Sequence, residues 1–435
     1  MIPQAFADSI RFLYSLGHEL KVVKWDLERM GVLLAALGDP HRQGRFVHVA
    51  GTNGKGSTCA MIEAALRANG LRTGIYTSPH LVTPRERIRI EEQMISEAEW
   101  VAAFDDVHGA AERLLAQEAI AAHPSFFETV TAMAFLAFAR ANVEITVLET
   151  GLGGRLDATN VVDPEVAVIT PIDFDHEAFL GSSIESIAAE KAGILKANRP
   201  AVFAAQRPEA LRVLENRALE LDVPVRHSSA WRVEDLVCSR YGSRFTLVAD
   251  EEIPVECPLA GLHQVENART AVAALGLMDV PAAAIRAGVA GTRWPGRLER
   301  VAGNLEIILD GAHNPAGARA LADYIREFFA DEPVRIIFGA MRDKAVEEVT
   351  NTLFPLAAEI ILTAPDQPRA LNPKALADVA AGMALQADRG SIRVADSLPA
   401  ALEMAKEMDV RRSMTTFVTG SLFLVGEARA CLTGG

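Results

Sequence analysis

The chain has 435 residues, half of them hydrophobic and 23% charged, with 57 acids against 43 bases and a formal net charge of −14. At roughly 150 residues per domain, two or three domains are expected, long enough to bury a large core without disulfide or metal staples. The acidic balance argues against a nucleic-acid coat or a membrane-surface protein, which need basic patches, but leaves room for an anionic ligand held by local groups.

Cys59, Cys238, Cys257 and Cys431 lie far apart and form no C-x-x-C pair, so reduced thiols fit better than a disulfide framework or a zinc ribbon. No basic and apolar signal segment opens the sequence. The most hydrophobic stretch, 129–139, is bounded by Glu128 and Arg140 and falls well short of the ~20 residues a membrane span needs. It is expected as a buried helix of a soluble, cytoplasmic protein.

In chain order, Phe46–Val49 predicts a strand running directly into Gly51-Thr52-Asn53-Gly54-Lys55-Gly56-Ser57. A helix over 57–69 follows, with Met61, Ile62, Ala65 and Leu66 at helical spacing and Gly70 at its end. Val143–Leu148 and Val166–Ile169 read as buried strands. Ser182 and Glu185 have capping-box spacing for a helix that passes Lys191 and ends near Gly193. Residues 205–260 show only short strand-like runs and predict no regular pattern. After Trp294-Pro295-Gly296 the alternation restarts: a strand at Leu305–Leu309, an amphipathic helix over 316–329, and strands at Val334–Phe338, Ile360–Thr363 and Thr416–Thr419. Alternating strands and helices imply α/β architecture with parallel sheets. The expected organisation is an N-terminal P-loop-like sheet domain, 1–292, followed by a smaller Rossmann-like α/β domain, 293–435.

A strand, a glycine loop with a lysine, and then a helix is the pattern that cradles phosphate. The glycines let backbone N–H groups close on the oxygens, the helix N-terminus faces the anion, and Lys55 reaches the outer phosphates. Ser57 or Thr58 can help hold magnesium. The loop departs from G-x-x-x-x-G-K-[ST], because Val49 stands where the first glycine would be and Gly56 follows the lysine. Further polar groups sit at expected strand ends: Thr77-Ser78-Pro79-His80, Glu149 with the run to Asp157, and Asp173, Asp175 and His176. In parallel sheets such ends converge on one ligand crevice. Hydroxyl and carboxylate donors suit Mg²⁺, whereas histidine is an uncommon ligand for it. Taken singly, each has an ordinary alternative as a cap or a solvated acid.

These motifs, with Glu149–Asn160 (ETGLGGRLDATN), Glu190-Lys191-Ala192-Gly193-Ile194, His263–Asn267, Pro295–Glu299, Asp310–Pro315 and Thr419–Leu422, resemble the Mur ligase superfamily. Within it they resemble the folylpolyglutamate synthase and dihydrofolate synthase branch, in family order from about residue 46 to 424. The resemblance implies roles. Gly51, Thr52, Asn53, Gly54, Lys55, Gly56, Ser57 and Thr58 hold ATP phosphates. Ser78 and Glu149 ligate one Mg²⁺, and His176 a second together with Lys191, which matches a lysine carbamylated in the family. Asn267, Arg297, Asp310 and His313 come to the nucleotide, Asp310 towards the ribose and Arg297 towards the γ-phosphate. Phe127, Glu128, Thr129 and Asp157 fall where the family places its pterin-bearing substrate, although an apolar core and a helix start explain that segment nearly as well. Ser421 belongs with the substrate set.

A surface lysine paired one turn away is the plain alternative for Lys191, but Ile187 and Leu195 occupy those positions. Two departures from the family pattern stand out. Ala345 follows Met341-Arg342-Asp343-Lys344 where another acid is usual, and Leu16-Gly17-His18-Glu19 matches only loosely, while Asp26–Met30 agrees.

The implied activity is ATP-dependent addition of L-glutamate to dihydropteroate and to folates, the bifunctional form, through an acyl phosphate and in a monomer. Another ligase of the superfamily with a non-folate acceptor, or a P-loop switch without ligation, are the competing readings. Only about 45 residues precede the phosphate loop, too few for a uridine-nucleotide domain.

Overall fold

A computed structural model describes residues 4–17, 27–301, 303, 305–342, 344–382, 392–409 and 414–434. The motif positions His18, Glu19, Asp26 and Asp343 lie outside the described residues.

The first large sheet is built from β1 (Arg45–Ala50), β2 (Thr73–Tyr76), β3 (Ile88–Ile90), β4 (Gln93–Met94), β5 (Ile145–Glu149), β6 (Val166–Ile169), β7 (Ala201–Phe203) and β8 (Val225–His227). Their spatial order is β4-β3-β2-β5-β1-β6-β7-β8, parallel throughout except for the antiparallel β3 and β4 at one edge. Central β1 is buried from Phe46 to Ala50, as a strand covered by helices on both faces must be. Its register places Val49 beside Glu149 and Ala50 beside Ile169. The carboxyl ends of β1, β5 and β6 are therefore level, and the loops that leave them emerge side by side.

The apolar stretch is a buried helix, Phe126–Arg140, longer than expected by one turn at its start. Ser125 caps it: its Oγ accepts the Glu128 N–H, and Glu128 Oε2 accepts the Ser125 N–H at 2.8 Å. The Lys191 helix spans Ile184–Ala192, and its cap is Ser183 paired with Ser186, not Ser182 with Glu185. Starting one residue later turns Ile184, Ile187, Ala188 and Lys191 inward together, and burial of that face sets the boundary.

Residues 205–260 are more regular than their sequence suggested. They form the helix Pro208–Glu220, strand β8, and a separate antiparallel sheet of β9 (Arg232–Ser239), β10 (Gly242–Val248) and β11 (Glu252–Cys257). In β11 the alternation is strict, with Ile253, Val255 and Cys257 buried between exposed Glu252, Pro254 and Glu256. This sheet packs onto the helices Leu262–Gly276 and Ala282–Gly291.

The second large sheet comprises β12 (Glu299–Val301), β13 (Ile307–Leu309), β14 (Val334–Phe338), β15 (Glu359–Leu362), β16 (Ile392–Val394) and β17 (Thr415–Thr419), in the order β12-β13-β17-β14-β15-β16. Only β12 runs antiparallel to its neighbour. Among the described residues no helix is long and apolar enough to cross a membrane.

One close helix crossing positions the phosphate loop. The helix Ala282–Gly291 lies against Lys55–Ala68, and a Cβ at Gly288 would sit 2.3 Å from the Ala65 backbone. Backbone cannot step aside as a side chain can. Gly288→Ala should therefore destabilise the protein by about 1–3 kcal/mol in denaturant or thermal unfolding. Gly291→Ala, with nothing within 4 Å of its Cβ, should not. Equal melting of the two variants would show that the crossing has slack.

Candidate active site

A cavity of about 700 Å³ opens at the carboxyl ends of β1, β5 and β6, with loops and helices that flank the strands of the second large sheet forming its opposite wall. The phosphate loop forms its floor. Gly54 is the residue before the helix Lys55–Ala68 and adopts φ +84°, a left-handed conformation that side chains disfavour. A Cβ there would also lie 2.2 Å from Asn267 Oδ1, so the glycine lets Asn267 approach the loop. Gly56, which broke the standard pattern, is packed under Trp294, whose Nε1 would be 2.8 Å from a Cβ. The helix N-terminus thus faces the cavity with its orphan N–H groups and positive dipole end. Ser57 lines the cavity. Thr58 is fully buried behind it, and its hydroxyl has no hydrogen-bond partner.

Lys55 Nζ donates to the Thr52 carbonyl at 3.2 Å and stands 3.9 Å from Glu149 Oε1. Glu149 ends β5, is buried, and accepts the Ser78 N–H at 3.2 Å. Burial pushes its carboxyl up, and Lys55 opposes that shift. Lys191 lies beneath the loop, 4% exposed, with Nζ donating to the Gly51 carbonyl at 2.8 Å. Burial, with Lys55 adding to it, lowers its ammonium to about 7.

His176 follows β6 with φ +53° and faces Lys344, whose Nζ is 3.4 Å from Nε2. Burial and then Lys344 hold its imidazole down near 3, so the ring is neutral. Its neighbour Asp175 is a hub. It accepts Lys344 Nζ at 2.6 Å and Asn314 Nδ2 at 3.0 Å, and it lies 3.4 Å from His313 Nε2. Burial alone would push this carboxyl up, but His313 and Lys344 overcome it and hold Asp175 well below the usual carboxylate range. Asn314 also donates to Asn53 Oδ1 at 3.0 Å, tying the hub to the phosphate loop.

Arg297 is half-buried on the opposite wall, and burial lowers its guanidinium from the ordinary value. Asp310 accepts the Leu298 and Ala312 N–H groups, each at 3.0 Å, so both oxygens brace the turn that presents Arg297. His313 Nδ1 donates to the Gly311 carbonyl at 2.7 Å.

The residues expected near the pterin separate into two kinds. Phe127, Glu128 and Asp157 line the cavity, whereas Thr129 lies outside its wall, fully buried, with its hydroxyl donating to the Ser125 carbonyl at 2.9 Å. Glu128 is held by Arg29 through bonds of 2.8–3.0 Å to both oxygens. Asp157 accepts the Gly151, Leu152 and Thr159 N–H groups. Ser421 lines the cavity while capping the helix Leu422–Thr433 through the Phe423 N–H. These polar groups already have structural bonds, so they shape the wall more than they offer free donors.

Lys344, Asn314 and Arg29 carry site geometry that sequence reading did not assign to them. Each lay inside a motif already noted, Met341–Lys344, Asp310–Pro315 and Asp26–Met30, but its partner is more than 90 residues away.

Residues 49–275 match the Mur ligase middle domain, and 296–422 match the Mur ligase glutamate ligase domain. Dihydrofolate synthase/folylpolyglutamate synthase of Bacillus subtilis is 38% identical over 372 residues, covering 82% of this chain and 85% of that protein. Folylpolyglutamate synthase of Mycobacterium tuberculosis, solved with ADP, superposes with a TM-score of 0.92 at 35% identity over 98% of both chains. E. coli FolC in complex with DHPP and ADP superposes at 0.85, 30% identical over 99% of both chains. The chain belongs to the folylpolyglutamate synthase/dihydrofolate synthase family of Mur ligases. As a member of that family it is an ATP-dependent amino-acid ligase.

Gly54→Ala should weaken ATP binding at least ~10-fold, since an αL side chain alone costs about 1–2 kcal/mol and the methyl also displaces Asn267. Nucleotide titration by fluorescence or calorimetry reads this. Gly70→Ala, also at positive φ but in open space, should bind ATP normally. Normal binding by Gly54→Ala would remove Asn267 from the cradle.

Proposed function

We propose that this enzyme adds L-glutamate both to dihydropteroate and to the γ-glutamyl chain of tetrahydrofolates, through an acyl-phosphate intermediate. The observation that carries this is the single cavity shared by the phosphate loop, the Phe127–Glu128 wall and Arg297. A nucleotide, an acceptor carboxylate and an incoming amine can meet there. The division into residues 1–292 and 293–435, a monomeric state and a cytoplasmic location belong to the same reading.

A carboxylate is a poor electrophile, so it must be activated before an amine can displace oxygen. Its oxygen attacks the γ-phosphorus of ATP, the bond to the β–γ bridging oxygen breaks, and ADP leaves. The glutamate α-amine then attacks the acyl carbon, loses a proton, and inorganic phosphate departs. No enzyme nucleophile is required. The loop N–H groups, Lys55 and Arg297 supply the charge stabilisation that phosphoryl transfer rests on. With walls contributed by both large sheets, the cavity limits water access to the acyl phosphate.

The donors present fit magnesium. Ser78 and the buried carboxylate of Glu149 form a hard oxygen pair beside the phosphate loop, and they would hold one ion. His176 would hold a second together with Lys191. When bound, such ions neutralise phosphate charge. An ammonium cannot ligate a cation. Among the described residues Lys191 forms no ion pair: its Nζ meets the Gly51 carbonyl, and burial outweighs the pull of Asp175 and Asp157, so its lowered ammonium leaves neutral amine near neutral pH. A neutral amine adds CO₂ to give a carbamate, which would turn this position into an anionic oxygen ligand.

Phosphate release with ATP and glutamate should depend on dihydropteroate or tetrahydrofolate, and a cell-wall peptide precursor should give none. Lys55→Ala should abolish that release while the variant keeps its unfolding midpoint. Release driven by the cell-wall precursor alone would point to the rival ligase reading, and nucleotide binding without glutamate-dependent release to a switch. Lys191→Ala should lose most activity and regain part of it with added formate or acetate. Near-normal activity without any response to those acids would end the carbamate assignment.

A further inference from the structure

Away from the cavity, two histidines and a glutamate gather where the helix Glu97–Ala116 leads towards Phe126–Arg140. His108 and Glu112 are four residues apart, so their side chains share one face of the helix. His123 reaches them from the connecting segment. His108 Nδ1 lies 4.0 Å, and His123 Nε2 3.9 Å, from the same Glu112 Oε1. All three ligand atoms fall within 4.8 Å of one another. Those separations are too long for hydrogen bonds. Both ring nitrogens are nevertheless shielded from solvent and have no hydrogen-bond partner, a condition that buried polar atoms seldom keep without a ligand.

The rings are set in ligating orientation. His123 Nδ1 lies 2.8 Å from the Pro124 carbonyl, which can only accept, so Nδ1 carries a proton and Nε2 is the nitrogen left to ligate an ion. A backbone carbonyl on the second nitrogen is the usual way a metal-binding imidazole is held. The His108 ring stacks on Phe104, with centroids 5.4 Å apart and planes 9° from parallel. Phe12 meets it edge-on at 4.4 Å and also contacts His123. Glu112 is the movable member, with 56% of its side chain exposed.

We propose that His108, Glu112 and His123 form a binding site for one divalent ion of the zinc class, separate from the catalytic cavity. Two imidazoles and a carboxylate suit Zn²⁺, while Mg²⁺ prefers an all-oxygen shell. Ligands at roughly 2.0–2.1 Å from a tetrahedral ion stand about 3.4 Å apart. The two separations to Glu112 Oε1 exceed this by about 0.5–0.6 Å, so a small inward swing of the exposed carboxylate, with the two ring nitrogens drawing together from within 4.8 Å, would close the shell, with water in the fourth position. The ion would pin the last turns of one helix to the segment that leads into Ser125, Phe127 and Glu128, all of which line the cavity. It is a clamp on the acceptor wall and takes no part in the chemistry.

The test is a zinc titration of the chelator-treated full-length enzyme in excess Mg²⁺, which keeps hard-ion sites in the cavity filled. Wild type should bind one Zn²⁺ per chain. His108→Ala and His123→Ala should bind it at least ~100-fold more weakly while still binding nucleotide, and His176→Ala should bind it as wild type does. Glu112→Gln, a surface change that spares the aromatic packing, should weaken zinc at least ~10-fold and decides the matter if a histidine variant fails to fold. Absence of zinc binding by wild type, or undiminished binding by Glu112→Gln together with either histidine variant, would overturn the proposal.

Discussion

Asp175 holds a largely buried negative charge at the seam between the two large sheets, and side chains from the second sheet's half reach across to it. Lys344, Asn314 and His313 reach it from the second sheet's helices and loops, and Asn314 continues to Asn53 in the phosphate loop. A buried carboxylate is tolerated only when its lone pairs are met, so the wall that carries Arg297 and the floor that carries Lys55 are held at one spacing by one group. Removing a partner would leave a charge unpaired in a water-poor place, which costs more than the bond itself contributes. This is why a motif such as Met341–Lys344 can matter to the site without providing an electrophile or a base.

Much of this was legible from local sequence, and the legible part has a common cause. Strand β1, the glycine loop and the helix after it are specified by residues adjacent in the chain: a mostly apolar strand, glycines at a tight turn, and a helical apolar face. The strand ends Glu149 and Asp175 followed once the sheet was taken as parallel, because parallel register brings carboxyl ends level. Less legible was whatever depends on choosing between neighbouring candidates or on distant pairing. Ser182 and Ser183 offer equal caps locally, and burial of Ile184 and Lys191 chooses between them. In the β9–β11 sheet only β11 alternates strictly, while β9 is exposed along most of its length and gives no period-two signal. The Glu128–Arg29 and Asp175–Lys344 pairs join residues 99 and 169 positions apart, and no spacing rule reaches that far.

The charge of −14 describes the surface and says little about the cavity. Inside, Lys55, Lys191, Arg297 and Lys344 share the cavity with Glu128, Glu149, Asp157, Asp175 and Asp310, several of these acids already bonded within the protein. Screening removes the distant surface charges from the sum, and the low-polarity surroundings strengthen what remains. An acidic protein can therefore place individual cations, Lys55 and Arg297 among them, where phosphate and carboxylate groups would meet them. The same desolvation that lowers Lys191 and neutralises His176 makes room for ions, because neutral nitrogens do not repel them.

On the proposed assignment of this wall to the acceptor, recognition comes mostly from shape. Glu128 is committed to Arg29 and to a helix cap, Asp157 to three backbone N–H groups, and Ser421 to another helix start. Polar groups already bonded within the protein cannot give a ligand the large penalty for mismatch that free buried donors would. A wall of this kind discriminates by the fit of Phe127 and the backbone around Gly151, where Phe127 already lies within 2.4 Å of a hypothetical Cβ. Such contacts distinguish flat rings from bulky chains readily, but they separate closely related rings by only about 1–3 kcal/mol per added group. That modest discrimination suits an enzyme that must accept both an unconjugated pteroate and its glutamylated products in one cavity.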